Sequence, residues 1–348
     1  MKTLSKSPYV SGRPAGTPLL QVAHLSLDLP TERGWVSILD DVSFEIWAGE
    51  LLGLAGESGS GKTMTALAIM GLLPSRTAKI SGTIVFDGID LLTLSPKEMR
   101  SVRGKAISMV FQEPITSLHP AFTVGEQIAE VVRAHEKVGK KAAWARAVDM
   151  LDRVGIANSV VRSKQYAFQF SGGMQQRVMM AMSLVCHPKL LIADEPTTAL
   201  DVTVQAQITE LIKELQRDLD MAVLFVTHDL GVLAGIAQRM VVMYGGQIVE
   251  VAMTRDMFVS PKHPYTQALI LAAPHPDLKG QRLPTIPGAP PHPGRLPVGC
   301  RFHPRCAYCT HDCTTGYIAI ESPTPGRQVR CVRHEELQLL VDIEKVMQ

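Results

Sequence analysis

The amino-acid sequence predicts an α/β fold built around a parallel β-sheet. An apolar strand run at 51–55 leads into a glycine-rich loop, and an apolar helical run at 63–73 follows the loop. Two further runs, 190–193 and 223–226, are short and fully apolar, with a helix predicted at 204–219 between them. Strands that alternate with helices and are apolar on both faces are typical of a parallel sheet covered on both sides.

The remaining pattern predicts smaller parts attached to this sheet. Strands are expected at 19–29, 42–46 and 82–86, and a helical insert at about 95–175. Gly245 and Gly246 separate two apolar runs, which indicates a β-hairpin. After residue 273 proline becomes frequent, which excludes a long helix or a central strand there, and the last predicted element is an amphipathic helix at 335–347.

These patterns give three predicted parts of the chain. Residues 1–18 are expected to form a flexible tail without the apolar core of a signal peptide. Residues 19–273 form the main domain, and residues 274–348 form an irregular extension that is rich in proline and cysteine.

Composition limits the possible classes of protein. The chain has 348 residues, of which 46% are hydrophobic and 20% charged, and its net charge is +2. This balance excludes a disordered chain and gives no indication of nucleic-acid binding. Because no run of about 18 apolar residues occurs, no membrane-spanning helix is expected.

The glycine-rich loop has the spacing of a phosphate-binding loop, G-x-x-x-x-G-K-[ST]. Its backbone N–H groups and the positive end of the following helix would surround phosphates. Lys62 would reach the β- and γ-phosphates, and the Thr63 hydroxyl would bind Mg²⁺. A chance glycine-rich turn is the alternative, but the flanking strand and helix argue against it. The loop consists of Gly56, Glu57, Ser58, Gly59, Ser60, Gly61, Lys62 and Thr63.

Two acidic residues follow the apolar strand at 190–193. Asp194 would hold Mg²⁺, directly or through water, and Glu195 would polarise an attacking water molecule. Phosphoryl transfer requires a metal that neutralises charge and a group that orients the nucleophile. A capping or turn role would be the ordinary interpretation of such a pair, but the phosphate loop earlier in the chain favours catalysis.

A serine and two glycines open another predicted helix. Ser171, Gly172 and Gly173 would form a second anion site by the same physics as the first loop. Alternatively, Ser171 is an N-cap that satisfies backbone donors, and both roles are compatible.

Five motifs occur in the order found in the ABC ATPase family, which this sequence resembles over about residues 19–251. They are the phosphate loop, VFQEP with Gln112, SGGMQQR, LLIADEPTTALD and FVTHD with His228. The resemblance implies a P-loop core with a RecA-like parallel sheet, an antiparallel β subdomain and a helical subdomain. It also implies a head-to-tail dimer, in which ATP lies between one phosphate loop and the partner's SGG segment.

The resemblance also implies a role for individual side chains. Gln112 would sense the γ-phosphate and Mg²⁺ and face the membrane subunits, and His228 would contact the γ-phosphate and hold the water. Asp201, in the Ala-Leu-Asp segment, would link the two sites of the dimer. Ser171, with Gly172, Gly173 and Gln175, would bind the partner's ATP.

Two residues depart from the family pattern, and one assignment is open. Phe170 stands where leucine is usual and Met174 where glutamine is usual, although Met174 is common in the peptide-importer branch. Trp35 is the candidate for stacking on adenine, because it lies upstream of the loop. A core or surface tryptophan without that role is the alternative.

Finer detail resembles the dipeptide and oligopeptide importers. The segments GESGSGKT, PTTALDVTVQAQI, HPYTQALILAAP and GCRFHPRCAYC carry this likeness. In that branch the extension carries four cysteines, and the resemblance implies a [4Fe–4S] cluster bound by Cys300, Cys306, Cys313 and Cys331. A structural Zn²⁺ site, free thiols or a disulfide are alternatives, and Cys309 is a further thiol at a position where alanine is more common.

The expected function is that of the ATP-hydrolysing subunit of an importer of di- or oligopeptides, at the cytoplasmic face of the cell membrane. Its expected partners are a second, similar ATPase chain, two membrane permeases and an extracytoplasmic solute-binding protein. A nickel chelate, glutathione or an oligosaccharide are alternative cargoes.

A soluble ABC ATPase that acts on DNA or ribosomes is a further alternative. The single phosphate loop and the absence of long heptads argue against it. A catalytically inactive regulatory subunit is opposed by the presence of Lys62, Asp194, Glu195 and His228.

Overall fold

A computed structural model describes residues 16–32, 34–112, 117–198, 201–273, 285–339 and 341. Within these residues the strands are β1 Leu20–Thr31, β2 Gly34–Ile46, β3 Leu51–Ala55, β4 Lys79–Phe86, β5 Ile89–Asp90, β6 Ile107–Val110, β7 Leu190–Asp194, β8 Ala222–Thr227, β9 Arg239–Tyr244, β10 Gln247–Met253, β11 Glu321–Thr324 and β12 Arg327–Val329. The α-helices are α1 Lys62–Ile69, α2 Pro96–Val102, α3 Val124–His135, α4 Lys140–Arg153, α5 Ser159–Arg162, α6 Gly172–Leu184, α7 Val202–Asp218, α8 Leu230–Ile236, α9 Thr254–Val259 and α10 Pro264–Ala272.

The chain forms two compact units. Among the described residues, the first unit comprises those within 1–19, 47–50 and 87–224, and the second comprises those within 20–46, 51–86 and 225–348. Each unit is therefore built from separate stretches of chain, so its internal contacts join residues that are far apart in sequence.

A buried parallel strand pair organises the first unit. Strands β6 and β7 pair in parallel, with Ile107 opposite Leu190 and Val110 opposite Ala193, and every residue of both strands is buried. Strand β6 lies within residues 95–175, which the sequence pattern predicts as mostly helical. Because the strands run in parallel, the residues that follow them emerge at the same edge.

Two helices of the first unit begin at capping boxes. Helices α2 and α3 each start with a capping box, formed by Ser95 with Glu98 and by Thr123 with Glu126. In each box the hydroxyl accepts a backbone N–H and the carboxylate accepts the N–H of the cap, which satisfies donors at the helix end. These local signals fix where the helical part of the unit begins.

The second unit contains an antiparallel sheet and a mixed sheet. Strands β2, β1 and β4 are antiparallel neighbours. Strand β3 pairs in parallel with β9, and β10 and β12 continue the mixed sheet in antiparallel pairing. The predicted hairpin is confirmed, since β9 and β10 pair around Gly245 and Gly246, both of which have positive φ.

The C-terminal part of the chain is irregular, as the proline pattern predicts. Beyond residue 284 it forms single 3₁₀ turns and the short strands β11 and β12, of which β12 pairs with β10. A buried ion pair fixes this edge, because Arg327 Nη2 donates to Glu250 Oε1 at 2.7 Å and Glu250 is fully buried. The predicted helix at 335–347 is wrong for 335–339, which form turns and irregular backbone, and most of its remainder lies outside the described residues.

Candidate functional site

The phosphate loop connects β3 to α1 in the second unit. Gly56 has a φ of 148°, and a Cβ there would lie 2.3 Å from the Met243 carbonyl oxygen, so only glycine fits. Lys62 is buried, and its Nζ donates to the carbonyl oxygens of Gly56 at 2.7 Å and Glu57 at 3.0 Å. The lysine thus folds back over the loop, at the place where a phosphate-binding ammonium is needed.

The other residues of the loop lie at the start of α1. Thr63 is the second residue of the helix and is exposed. Ser60 is buried, and its hydroxyl has no hydrogen-bond partner. Ser58 and Gly59 are exposed at the tip of the loop. The loop thus has exposed residues at its tip and a helix N-terminus behind it, and its binding of phosphate stays a prediction.

The phosphate loop is also held from the C-terminal part of the second unit. Arg305 binds both carboxylate oxygens of Glu57, at 2.6 and 3.0 Å, and the Tyr265 hydroxyl accepts the Glu57 backbone N–H at 2.8 Å. Neither Arg305 nor Tyr265 is among the predicted site residues. The only sequence signal for them is their place within the HPY and FHPRC segments.

Two more predicted nucleotide residues belong to the second unit. His228 directly follows β8 and is exposed. Trp35 lies in β2 opposite Pro30 of β1, with 47% of its surface exposed, so it is not a core residue. Lys79 Nζ lies 4.0 Å from the centroid of the Trp35 ring, which is a cation–π contact. The role of Trp35 in stacking on adenine stays a prediction.

The predicted catalytic acids lie in the first unit, at the end of β7. Asp194 is buried, whereas Glu195 is half-buried and has a φ of 47°, a backbone conformation that non-glycine residues rarely adopt. Gln112 follows β6, and its Nε2 donates to Glu195 Oε2 at 3.0 Å. The Thr198 hydroxyl donates to the same oxygen at 2.9 Å. The parallel strand pair therefore brings Gln112 and Glu195 together and fixes the carboxylate.

The serine–glycine segment forms a separate cleft of the first unit. Ser171 occupies the N-cap position of α6, but its hydroxyl makes no capping hydrogen bond, so a side-chain cap is not its role in this structure. The first-turn N–H groups of α6 therefore lack that acceptor, as an anion site requires. The cleft has a volume of about 380 Å³. Its lining residues are Ser171, Gly172, Gly173, Met174, Arg177, Asp201, Val204 and Gln207.

Close helix packing explains one glycine of this cleft. A Cβ at Gly173 would lie 2.8 Å from Val204 Cγ1. Asp201 caps α7, since its Oδ1 accepts the Val204 N–H at 2.9 Å. Gln175 points elsewhere: its Nε2 donates to the carbonyl oxygens of Ala167 at 2.9 Å and Phe170 at 3.3 Å. Gln175 thus braces the turn before the segment, and its predicted contact with ATP stays a prediction.

The two departures from the family pattern are accommodated by one arginine. Phe170 is buried, and its ring centroid lies 6.0 Å from the Arg162 guanidinium carbon. Arg162 Nη1 also lies 3.6 Å from the Met174 sulfur. Both side chains therefore pack against α5, which supports the turn that leads into the SGG segment.

The four predicted cysteine ligands line one small cavity in the second unit. Cys300, Cys306, Cys313 and Cys331 share this cavity with His263 and Phe302, whereas Cys309 is exposed. Backbone N–H groups of the residues two positions later donate to the sulfurs of Cys300, Cys306 and Cys331.

The four thiols are free, and burial raises the pKa of the Cys300, Cys306 and Cys331 thiols. Burial and the neighbouring cysteines raise the pKa of Cys300 to about 12 and that of Cys331 to about 11. Among the described residues, no three or more His, Cys, Asp and Glu side chains form a group suited to a metal ion. The donor set nevertheless suits iron, since thiolates are the usual ligands of iron–sulfur clusters.

Comparison with known protein families identifies the chain. A family model described as ABC transporter matches residues 39–198, which contain the phosphate loop, Gln112, the SGG segment and the two acids. A second model, described as the oligopeptide/dipeptide transporter C-terminal region, matches residues 249–313 and includes three of the cavity cysteines.

Curated relatives match over nearly the whole chain. The oligopeptide transport ATP-binding protein OppD of Salmonella typhimurium is 46% identical over 334 residues, which are 96% of this chain and 99% of that protein. The dipeptide transport ATP-binding protein DppD of Bacillus subtilis is 47% identical over 317 residues, 91% of this chain and 92% of that protein.

Solved structures share the fold of the nucleotide-binding part. A dimeric post-hydrolysis state of the ATP-binding cassette MJ0796 bound to ADP and Pi gives a TM-score of 0.61 at 26% identity, covering 68% of this chain and 99% of that chain. The structure of cbiO1 from Clostridium perfringens gives a TM-score of 0.60, covering 69% of this chain and 90% of that chain.

The chain is thus an ABC-type ATPase in fold and in motif. It belongs to the family of ABC transporter ATP-binding proteins, in the branch that carries the oligopeptide/dipeptide transporter C-terminal region. The predicted fold class, family and ATPase activity are confirmed. The roles of individual residues and the boundaries of the parts stay predictions.

The packing at Gly173 gives a testable consequence. We expect Gly173→Ala to lower the ATPase rate of the assembled transporter about tenfold, since overpacking costs about 1–3 kcal/mol and would displace the segment. Val204→Ala in the same chain removes the clashing methyl group and should restore most of the rate. If Gly173→Ala is fully active, or if the double variant stays as slow as the single one, the close approach is not what requires glycine.

Proposed function

We propose that this chain is the ATP-hydrolysing subunit of an ABC importer that takes up dipeptides or oligopeptides. Two observations carry the proposal: in the second unit, a phosphate loop shaped by the buried Lys62, and in the first unit, a carboxylate at Glu195 that is held by Gln112 and Thr198. The near full-length likeness to peptide-transport subunits supports the cargo class. Nickel chelates, glutathione and oligosaccharides remain alternative cargoes for permeases that would accept them.

The proposed chemistry divides the work among the site residues. Lys62 and the loop N–H groups bind the β- and γ-phosphates, and Thr63, Gln112 and Asp194 hold Mg²⁺. Glu195 polarises the attacking water, and His228 holds this water against the γ-phosphate. Electrostatic stabilisation and positioning supply most of the catalysis in phosphoryl transfer. Each group therefore acts through its position and charge, without forming a covalent bond to the substrate.

The proposed assembly is a head-to-tail pair of ATPase chains on two permeases. Ser171, Gly172 and Gly173 bind the partner's ATP, and Asp201 links the two sites. The exposed anion site at the start of α6 supports this arrangement, since it lies in a cleft of its own in the first unit. The second ATPase chain is a similar but different protein, and a solute-binding protein outside the membrane delivers the cargo.

The proposed location is the cytoplasmic face of the cell membrane, through contact with the permeases. Across the described part of the chain, none of the helices combines the length and apolar character needed to cross a membrane. The match to transporter ATP-binding proteins supports attachment through partner subunits.

The cysteine cavity is proposed to hold a [4Fe–4S] cluster on Cys300, Cys306, Cys313 and Cys331. A single zinc ion would need four sulfurs about 2.3 Å from one point, whereas a cluster binds each thiolate through a separate iron. We favour the cluster because four cysteine thiols line one cavity and thiolates are the usual ligands of iron–sulfur clusters. Bound iron would displace the thiol protons that burial retains, and the cluster would supply an electron-transfer or structural centre.

Replacing the proposed catalytic carboxylate tests the ATPase assignment. We expect Glu195→Gln to lower ATP hydrolysis and peptide uptake of the reconstituted transporter at least about 100-fold, since general-base catalysis contributes that much or more. ATP should remain bound, because the phosphate loop is unchanged.

A matched control is Glu210→Gln, which changes an exposed glutamate paired with Lys213 and should leave the rate within about twofold. Near-normal hydrolysis by Glu195→Gln would contradict the assignment of Glu195 as the group that polarises water.

Metal analysis tests the cluster. We expect protein purified without oxygen to be brown and to carry about four iron and four sulfide per chain, since that is the composition of the cluster. Cys313→Ala should lose most of the iron and the visible absorbance, while Cys309→Ala, which changes the exposed thiol, should retain both. Colourless protein with one zinc per chain would reject the cluster.

A further inference from the structure

Glu57 of the phosphate loop is held by Tyr265 of α10 and by Arg305 of the C-terminal extension. Its carboxylate oxygens accept hydrogen bonds from Arg305 Nη1 at 2.6 Å and Arg305 Nη2 at 3.0 Å. Its backbone N–H donates to the Tyr265 hydroxyl at 2.8 Å. Such a two-pronged arginine–carboxylate pair fixes orientation as well as charge. One residue of the loop is therefore fixed at both its backbone and its side chain.

Arg305 itself is fixed by its surroundings. It is 8% exposed, its Nε donates to the Pro287 carbonyl oxygen at 2.8 Å, and its Nη1 lies 3.2 Å from the Tyr244 hydroxyl oxygen. A guanidinium is always charged in proteins and presents its donors in a rigid fork. Arg305 therefore has little freedom to move, and its position determines that of the Glu57 carboxylate.

Both residues that hold Glu57 come from segments that line the cysteine cavity. Arg305 directly precedes Cys306, and Tyr265 directly follows His263 and Pro264. Cys306, His263 and Pro264 line the cavity, whereas Arg305 and Tyr265 do not. Phe302, another lining residue, packs against Tyr244 and Tyr265, with ring centroids 5.2 Å from each. A change in the shape of the cavity therefore acts directly on the residues that hold the phosphate loop.

The ion pair has an electrostatic consequence for nucleotide binding. A carboxylate within a phosphate loop repels the polyphosphate of ATP, and this repulsion is strong where water is partly excluded. Arg305 neutralises this charge and holds the carboxylate on the side of the loop that faces the extension. Without Arg305, the loop would carry an unpaired negative charge next to the phosphates.

We propose that Arg305 is a positioning residue of the nucleotide site, and that through its pair with Glu57 the affinity for ATP depends on the packing of the cysteine-lined cavity. The proposal rests on the proposed function, since it concerns the same phosphate loop. It adds that the C-terminal extension controls ATP binding and is more than an attachment to the ATPase domain.

Titration of the purified full chain with MgATP tests the first part. We expect Arg305→Gln to weaken binding about tenfold, which is about 1.4 kcal/mol. Adding Glu57→Gln to this variant removes the unpaired carboxylate. The double variant should therefore recover at least half of the lost affinity for MgATP, measured as the logarithm of Kd. Arg153→Gln, which removes an exposed pair with Asp149 in the first unit, is the control and should bind within twofold of wild type.

Two results would overturn this part. One is wild-type affinity in Arg305→Gln, and the other is a double variant as weak as Arg305→Gln, which would indicate a general structural role. If Arg305→Gln does not fold, Arg305→Lys keeps the charge and loses the fork, and we expect about threefold weaker binding. Wild-type affinity in that variant overturns the proposal.

The link to the cavity is tested with Cys306→Ala in two backgrounds. We expect it to weaken MgATP binding about threefold or more in the wild-type chain and to add nothing in the Glu57→Gln, Arg305→Gln chain. Unchanged affinity in the wild-type chain, or an equal loss in both backgrounds, would overturn the link. If the wild-type chain itself does not bind MgATP, the proposed function fails; if it binds and the variants match it, this inference alone fails.

Discussion

The interaction on which the nucleotide site depends is the packing of the phosphate loop onto its own lysine. Lys62 is buried and donates to the carbonyl oxygens of Gly56 and Glu57, so those carbonyls turn toward the ammonium. Backbone N–H groups of such a loop are the groups that bind phosphates. Gly56 makes this turn possible because the Met243 carbonyl leaves no room for a side chain. The loop of the second unit is therefore already ordered in the shape proposed for phosphate binding, and a preformed site limits the entropy lost on binding.

The first unit holds the proposed catalytic groups Gln112 and Glu195, and strand geometry positions them. Parallel pairing of β6 and β7 places Gln112 and Glu195 at one edge, where the amide holds the carboxylate at 3.0 Å. Glu195 has an unusual backbone conformation, with a φ of 47°. Strain of this kind is often found at functional sites, and it is consistent with a carboxylate whose direction matters more than local stability.

The sequence predicts those parts of the site that are local in the chain, and it misses those that are not. The phosphate loop, the acids after β7 and the SGG segment are short motifs, so strand, loop and helix can be inferred from neighbouring residues. The contact between Glu57 and Arg305 joins residues 248 positions apart, and no local pattern reveals it. The sequence does not predict strand β6, because four buried residues between helices are too few to show a periodic pattern. The prediction of a helix at 335–347 is wrong for 335–339, which form turns and irregular backbone. An amphipathic pattern is compatible with a helix but does not by itself require one.

The central claim is that the loop at Gly56 to Thr63 binds ATP through Lys62, and calorimetric titration of the full chain with MgATP tests it most directly. The account predicts about one nucleotide per chain for the wild type, and at least about a 100-fold loss of affinity in Lys62→Ala, since a charge-assisted contact with the phosphates and the internal support of the loop are removed together. Equal binding by Lys62→Ala and the wild-type chain would contradict the account.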